Sequence, residues 1–297
     1  MLTWHAHAGA VTSLAFVPGG GLLSTGVDGV LKHWDATSGS SRFFWKLAET
    51  VEKPAECALL RVIADLSGQY AAVGLRSEGV RFFDLANSSV AGEFRLTSLY
   101  DLDRFPFGAS VFCIGNRDGA GMRVWQIAIP TGEPLTKSAT PCPARYGGNG
   151  GNGELAASPD GTQVLAVGKR FAWPSGIASG PVALARGSML VVSPDGDKLF
   201  GSQGRYLGVW GFQLGTFRRK LKGHLAPITG LTSTPDGRKL WTASLDATVR
   251  QWDVDTYRCE TCYGLKIGPL GCVAVSPDGL TAAAGSRHTG NIAVWDL

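Results

Sequence analysis

Apolar residues in this chain come in short runs, each closed within a few residues by glycine, proline, serine or aspartate. Leu22-Leu23-Ser24-Thr25 and Lys239-Leu240-Trp241-Thr242-Ala243 are two of them. Runs this short, bounded in this way, predict strands. The boundaries themselves repeat. Ser158-Pro159-Asp160-Gly161, Ser193-Pro194-Asp195-Gly196, Thr234-Pro235-Asp236-Gly237 and Ser276-Pro277-Asp278-Gly279 are copies of one tetrapeptide. Weaker copies stand at Val17-Pro18-Gly19-Gly20, Asp65-Leu66-Ser67-Gly68 and Phe105-Pro106-Phe107-Gly108. This is type I turn chemistry: the hydroxyl bonds locally, proline presets φ, and glycine ends the turn.

The closing glycines recur about every 43 residues, so seven units fill the 297-residue chain, leaving no room for another domain, a linker or a tail. After each turn an apolar run leads to a strand that ends on an aromatic residue. Trp34-Asp35, Trp252-Asp253 and Trp295-Asp296 are complete endings; Phe83-Asp84, Trp125-Gln126 and Trp210-Gly211 are partial, and Trp173 is the candidate in the fourth unit. The sixth unit is fullest, with Gly223-His224, the turn at Thr234, then Ser244-Leu245-Asp246 and Trp252-Asp253.

A repeat of this period, with Gly-His near its start and Trp-Asp near its end, resembles the WD40-repeat family. The resemblance covers the whole chain. It implies an all-β fold: a single seven-bladed β-propeller domain over residues 1–297, with four-stranded antiparallel blades. It also implies that the N-terminal strand, Leu2 to His7, completes the last blade and closes the ring, which removes both exposed sheet edges. Within a blade it implies a structural tetrad, carried over here onto His224, Ser244, Asp246 and Trp252. The first unit keeps His7, Asp28 and Trp34 but has Gly26 where the serine is expected, so its network should be broken. Units two to five and seven lack the Gly-His and should rest mainly on apolar packing.

Composition agrees with many short strands and tight turns: 41 Gly, 9 Trp and only 18% charged residues, with 44% apolar to build a core. No apolar stretch reaches the ~18 residues of a membrane helix, and the N-terminus lacks a signal-peptide pattern. Cysteines 57, 113, 142, 259, 262 and 272 form no disulfide framework, which fits a reducing, cytoplasmic setting.

Candidate chemistry is sparse. The five histidines show no metal-ligand spacing, so neither a metal nor a cofactor is expected. Cys259-Glu260-Thr261-Cys262 has no second pair to complete a four-ligand site and falls where a fourth strand belongs. Gly147 to Gly153 lacks the Gly-Lys-Ser/Thr ending of a phosphate loop and is expected to connect two blades. Arg218-Arg219-Lys220-Leu221-Lys222 is expected on an outer strand, where charge discourages edge pairing, or where an acidic partner docks.

The net charge of +4 matters less than its placement. Aligned on the closing aromatics, Arg76, Arg117, Lys169 with Arg170, Arg205, and Arg287 with His288 fall near the turns between second and third strands. In the family those turns line one end of the central channel. The expected function is a non-catalytic scaffold for a protein or peptide, acidic or phosphorylated, with nucleic acid as the less supported partner. The alternative is a propeller enzyme, a lactonase or other hydrolase, working in the central funnel. That alternative needs convergent carboxylates and histidines, which the sequence does not supply, so no catalytic residue is assigned.

Overall fold

The computed structural model describes residues 1–46, 59–104, 109–117, 121–135, 140–141, 155–182 and 189–297. The turn expected at Phe105 to Gly108, the glycine run at 147–153, Cys57 and Cys142 lie outside the described residues. Among the described residues, 28 strands form seven four-stranded sheets, the architecture of a seven-bladed β-propeller.

Blade 7 takes its outer strand from the start of the chain: β1 (Leu2–His5) pairs with β28 (Asn291–Asp296). Blade 1 is β2 (Val11–Val17), β3 (Gly21–Gly26), β4 (Val30–Asp35) and β5 (Ser41–Lys46). Blade 2 is β6 (Leu59–Ala64), β7 (Tyr70–Leu75), β8 (Gly79–Asp84) and β9 (Ser89–Arg95). Blade 3 is β10 (Ser98–Arg104), β11 (Ser110–Asn116), β12 (Met122–Ala128) and β13 (Thr140–Pro141). Blade 4 is β14 (Leu155–Ala157), β15 (Gln163–Ala166), β16 (Lys169–Ala172) and β17 (Ala178–Pro181). Blade 5 is β18 (Leu190–Val192), β19 (Lys198–Gln203), β20 (Tyr206–Gly211) and β21 (Phe217–Leu221). Blade 6 is β22 (Ile228–Ser233), β23 (Lys239–Ser244), β24 (Thr248–Asp253) and β25 (Cys259–Gly264). Blade 7 is completed by β26 (Leu270–Val275) and β27 (Thr281–Ser286) beside β28.

The chain divides into two compact units: Met1–Ala64 with Ser202–Leu207 and Lys220–Leu297, and Asp65–Gly201 with Gly208–Arg219. In the first, Val11, Leu14, Phe16, Leu22 and Trp34 of blade 1 pack against Cys272, Ala274, Ala283, Ile292 and Val294 of blade 7. In the second, Phe112, Ile114 and Val124 of blade 3 pack against Leu155, Val164, Phe171 and Trp173 of blade 4.

Each second strand is buried on both faces, which is why its sequence is an unbroken apolar or small run. All six residues of β3 are buried, as are Ala282 to Ser286 of β27. The fourth strands are the reverse, with β5, β9, β21 and β25 mostly exposed and richer in charge. The four Ser/Thr-Pro-Asp-Gly turns behave alike. At Ser158 the hydroxyl accepts from Gln163 N–H and donates to Asp160, while Gly161 N–H closes the turn on Ser158 C=O at 2.9 Å.

The first strands carry a second device. Their pairing with the second strand slips at Val11/Ser13, Leu99/Asp101, Ile228/Gly230 and Leu270/Cys272. A bulge of this kind re-aims side chains, and here a side chain at or beside each slip reaches the first strand of the next blade. Ser13 Oγ accepts from Val62 N–H at 3.1 Å, and Asp101 Oδ2 accepts from Leu155 N–H at 3.0 Å. Thr229 Oγ1 donates to Leu270 C=O at 2.8 Å, and the Cys272 thiol donates to Val11 C=O at 3.8 Å. Burial pushes that thiol up to about 12, so it keeps the proton it donates.

Blade 7 depends on β1. Leu2 pairs with Val294 and His5 with Asn291, and Ala6 and His7 N–H both bond Gly290 C=O. Removing residues 2–5 leaves β28 with an open edge; the expected outcome is aggregation, or a Tm lower by several degrees in a thermal scan. Ser13→Ala strands the buried Val62 N–H and is expected to cost about 1–3 kcal/mol in urea unfolding.

Candidate functional site

Two polar networks fix the blades that carry Gly-His or its remnant. In blade 6, His224 Nδ1 lies 2.9 Å from Asp246 Oδ2 and His224 Nε2 lies 2.7 Å from Thr242 Oγ1. Trp252 Nε1–H donates to the same Thr242 oxygen at 2.9 Å. Indole can only donate, which leaves the Thr242 proton for His224 Nε2 at 2.7 Å or for Arg250 C=O at 3.4 Å. The shorter contact and the burial of His224 favour the neutral imidazole, with Nδ1–H facing the carboxylate.

The hydroxyl of this tetrad is Thr242, which corrects the assignment to Ser244. Residues 242 and 244 share a face of β23, but only Thr242 stands diagonal to Trp252, whose direct partner is Leu240. Ser244 instead donates to Ala226 C=O and accepts from Asp246 N–H. The same two-residue displacement applies in blade 1. Ser24 Oγ sits 2.7 Å from His7 Nε2 and accepts from Trp34 Nε1–H at 2.8 Å, with His7 Nδ1 2.9 Å from Asp28. Gly26 therefore breaks nothing. It occupies the place of Ser244, where an added Cβ would lie 2.6 Å from the His7 ring.

Where the hydroxyl is missing, the indole loses its acceptor. Gly201 and Ala284 take the corresponding positions in β19 and β27, and Trp210 Nε1 and Trp295 Nε1 are buried without a partner among the described residues. Among the described residues, apolar contact alone holds the tryptophan of those blades.

Burial by itself would raise the Asp246 carboxyl, but hydrogen bonds from Thr248, Leu225 N–H and His224 outweigh it and hold it at about 2. Burial lowers His224, with Asp246 opposing.

The turns between second and third strands sit above these networks. Val27, Leu245 and Arg287 each donate N–H to a carbonyl just before the first strand of their own blade: Ala10, Pro227 and Pro269. Arg287 thus occupies the place held by Val27 and Leu245, and both it and His288 are exposed. Arg76 follows β7 directly, half-buried, and its C=O accepts from Leu99 N–H of blade 3 at 2.7 Å. Arg117 follows β11, exposed, with its guanidinium 5.2 Å over the Phe94 ring. Arg205 lies between β19 and β20, exposed, beside Gly204, whose C=O accepts from Ile228 N–H at 2.8 Å.

Lys169 and Arg170 depart from this placement. The turn in blade 4 is only Val167-Gly168, both at positive φ, so Lys169 already begins β16. Lys169 is exposed, but Arg170 is 5% exposed and not a turn residue. It pairs with Gly180, where a Cβ would stand 3.2 Å from its guanidinium. That missing side chain is what makes room for the buried arginine.

Cys259 and Cys262 are free, exposed thiols on β25. Among the described residues no group of three or more His, Cys, Asp or Glu side chains could hold a metal ion. No helix there is long and apolar enough to cross a membrane.

Seven four-stranded blades, two of them tied by His-Asp-hydroxyl-Trp networks, define a β-propeller of the repeat type. A sequence profile described as WD domain, G-beta repeat matches residues 1–35 and 215–253, the segments that contain the two tetrads. Those two segments carry WD repeats, within a seven-bladed propeller. The chain is 36% identical over 89 residues to periodic tryptophan protein 2 homolog of Mus musculus, covering 30% of this chain and 10% of that one. It is 32% identical over 83 residues to WD repeat-containing protein 26 homolog of Arabidopsis thaliana, covering 28% and 14%. Protein groucho of Drosophila melanogaster is 37% identical over 67 residues, covering 22% and 9%. The matches thus span less than a fifth of these relatives' own lengths.

Thr242→Val leaves Trp252 Nε1 and His224 Nε2 without their shared partner. The expected loss is about 1–3 kcal/mol in urea unfolding, with a comparable loss for Ser24→Ala because both tetrads are complete. The folded values of His224 and Asp246 lie below their unfolded ones, so the unfolded state binds more protons as pH falls. The stability they contribute is whole above pH ~6.5 and declines toward pH ~2. The destabilisation by Asp246→Asn should accordingly be largest at neutral pH and shrink below pH ~4, as followed by unfolding at a series of pH values.

Proposed function

We propose that this chain is a non-catalytic scaffold that binds other macromolecules, above all proteins or peptides, and works as one propeller domain over residues 1–297. The observation that carries this reading is the repeated placement of cations at one turn position. Arg76, Arg117 and Arg287 directly follow their second strands, Arg205 stands one residue further on, and Lys169 and His288 stand close by. Two of these turns are tied by their backbones to a first strand and a third, at Arg287, to the residue just before one, so their side chains project from a fixed base.

Cations held on fixed turns attract acidic ligands and raise association rates. Arginine suits carboxylate and phosphate because its planar fork bonds two oxygens at once. An acidic or phosphorylated protein segment is therefore the favoured ligand, with nucleic-acid phosphate second. The WD-repeat relatives support a scaffold role, and such propellers are typically not enzymes. The free thiols of Cys113, Cys259, Cys262 and Cys272 support a reducing, cytoplasmic location.

The test is affinity capture from native lysate at low and high salt, using wild type and the combined Arg76→Glu, Arg117→Glu, Arg287→Glu variant. The expected result is a set of proteins held at low salt, released by high salt, and absent with the variant although its Tm is unchanged. An unaltered capture set would show that partners dock elsewhere.

A further inference from the structure

One cluster of cations on the first compact unit is built differently from the rest. Arg205 Nη2–H donates to Tyr206 Oη at 2.9 Å, with the guanidinium carbon 5.1 Å from the ring centroid. Lys220 of β21 places Nζ 3.7 Å from the same centroid. Lys222, just beyond β21, adds its charge to the same phenol. The Arg205 hydrogen bond comes first in drawing the Tyr206 hydroxyl below its ordinary value; burial opposes it, and the charges of Arg205, Lys220 and Lys222 reinforce it.

Arg205, Lys220 and Lys222 are exposed, and Tyr206 is half-buried. No carboxylate among the described residues pairs with any of these three cations. Among other cations, Arg218 of β21 pairs with Asp197, and Lys239 of β23 with Asp253 and Glu260. Three like charges around one phenol repel one another, and an anion is the obvious relief.

We propose that Arg205, Tyr206, Lys220 and Lys222 form a subsite for a phosphate monoester carried on the chain of a partner protein. The proposal rests on the scaffold reading above and names a ligand for one part of the surface. A phosphate monoester brings close to two negative charges and three acceptor oxygens, against one charge and two oxygens for a carboxylate. Three cations and a phenol O–H, free to donate once Oη accepts from Arg205, match the former better. A nucleic acid fits less well. Single strands are held by stacking bases on aromatic faces and by a tract of backbone contacts. Here Lys220 covers the ring and Arg205 flanks it, and the cations form one compact group.

The experiment is a chemical-shift titration of isotope-labelled protein with a short Gly/Ala peptide bearing one phosphoserine. The same peptide unphosphorylated, and with aspartate at that position, serve as comparisons. The expected result is binding at least about tenfold tighter for the phosphopeptide, with shifts at Arg205 and Tyr206 and displacement by inorganic phosphate. Lys220→Ala with Lys222→Ala should weaken it about tenfold, and Tyr206→Phe a few-fold, with Tm unchanged because these side chains are exposed or keep their ring.

Equal affinity for the three peptides, or for wild type and the double lysine variant, overturns the proposal. So does an oligothymidylate that binds more tightly than the phosphopeptide and needs the same two lysines. The Arg76, Arg117, Arg287 variant separates the two readings. If it retains its captured partners while the lysine variant loses the phosphopeptide, the turn face fails and the subsite stands; the reverse pattern removes the subsite alone.

Discussion

The first strand of every blade has a second-strand partner on one edge and nothing of its own blade on the other. Its backbone N–H and C=O groups on that inner edge are buried or partly buried, and unpaired groups of this kind are costly. In blades 1, 3, 6 and 7 a side chain of the first strand meets this constraint for the neighbouring blade. Ser13, Asp101, Thr229 and Cys272 each satisfy a backbone group of the next first strand, and a local slip in register accompanies each bond. Turn backbones add to this, as where Arg76 and Gly204 accept from Leu99 and Ile228. The turns that carry Arg76 and Arg205 are thus held by the same bonds that settle the inner edges.

The tetrads solve a different problem, that of burying a tryptophan with a polar tip. A hydroxyl that accepts from indole and donates to imidazole satisfies both, and the carboxylate orients the imidazole in turn. Blades 1 and 6 have this arrangement and are the segments that the repeat profile matches. Blades 5 and 7 have glycine or alanine in the hydroxyl's place and leave the indole N–H unpaired among the described residues. Apolar contact alone tolerates many sequences, which is why those repeats diverge beyond recognition by the profile while keeping their four strands.

The turns, the period and the aromatic strand ends were legible in the sequence because each follows from local chemistry. A Ser-Pro-Asp-Gly turn needs those residue types wherever it occurs. Leu2 to His5 lies beside β28, as the missing fourth strand of the last unit led one to expect. The tetrad hydroxyl is not legible in the sequence because Thr242 and Ser244 share a face, and a period of two cannot tell them apart. Only the diagonal reach of Trp252 decides between them. Arg170 was misplaced because a two-residue turn starts the strand early, and the space above Gly180 that accepts it is a cross-strand property. The bonds between first strands had no sequence signal, since a single Ser, Asp, Thr or Cys serves equally well.

Pairing β1 with β28 has a consequence for synthesis. Leu2 to His5 are synthesised long before their partner strand Asn291 to Asp296, with nearly the whole of this sequence made in between. Through most of translation the first strand has no neighbour to receive it, and the contact it finally makes has nearly the greatest sequence separation the chain allows. Such non-local pairing is slow and leaves edges uncovered in the meantime. The strand that waits is Leu2-Thr3-Trp4-His5, short and with only two large apolar side chains, too small to nucleate association between unfinished copies.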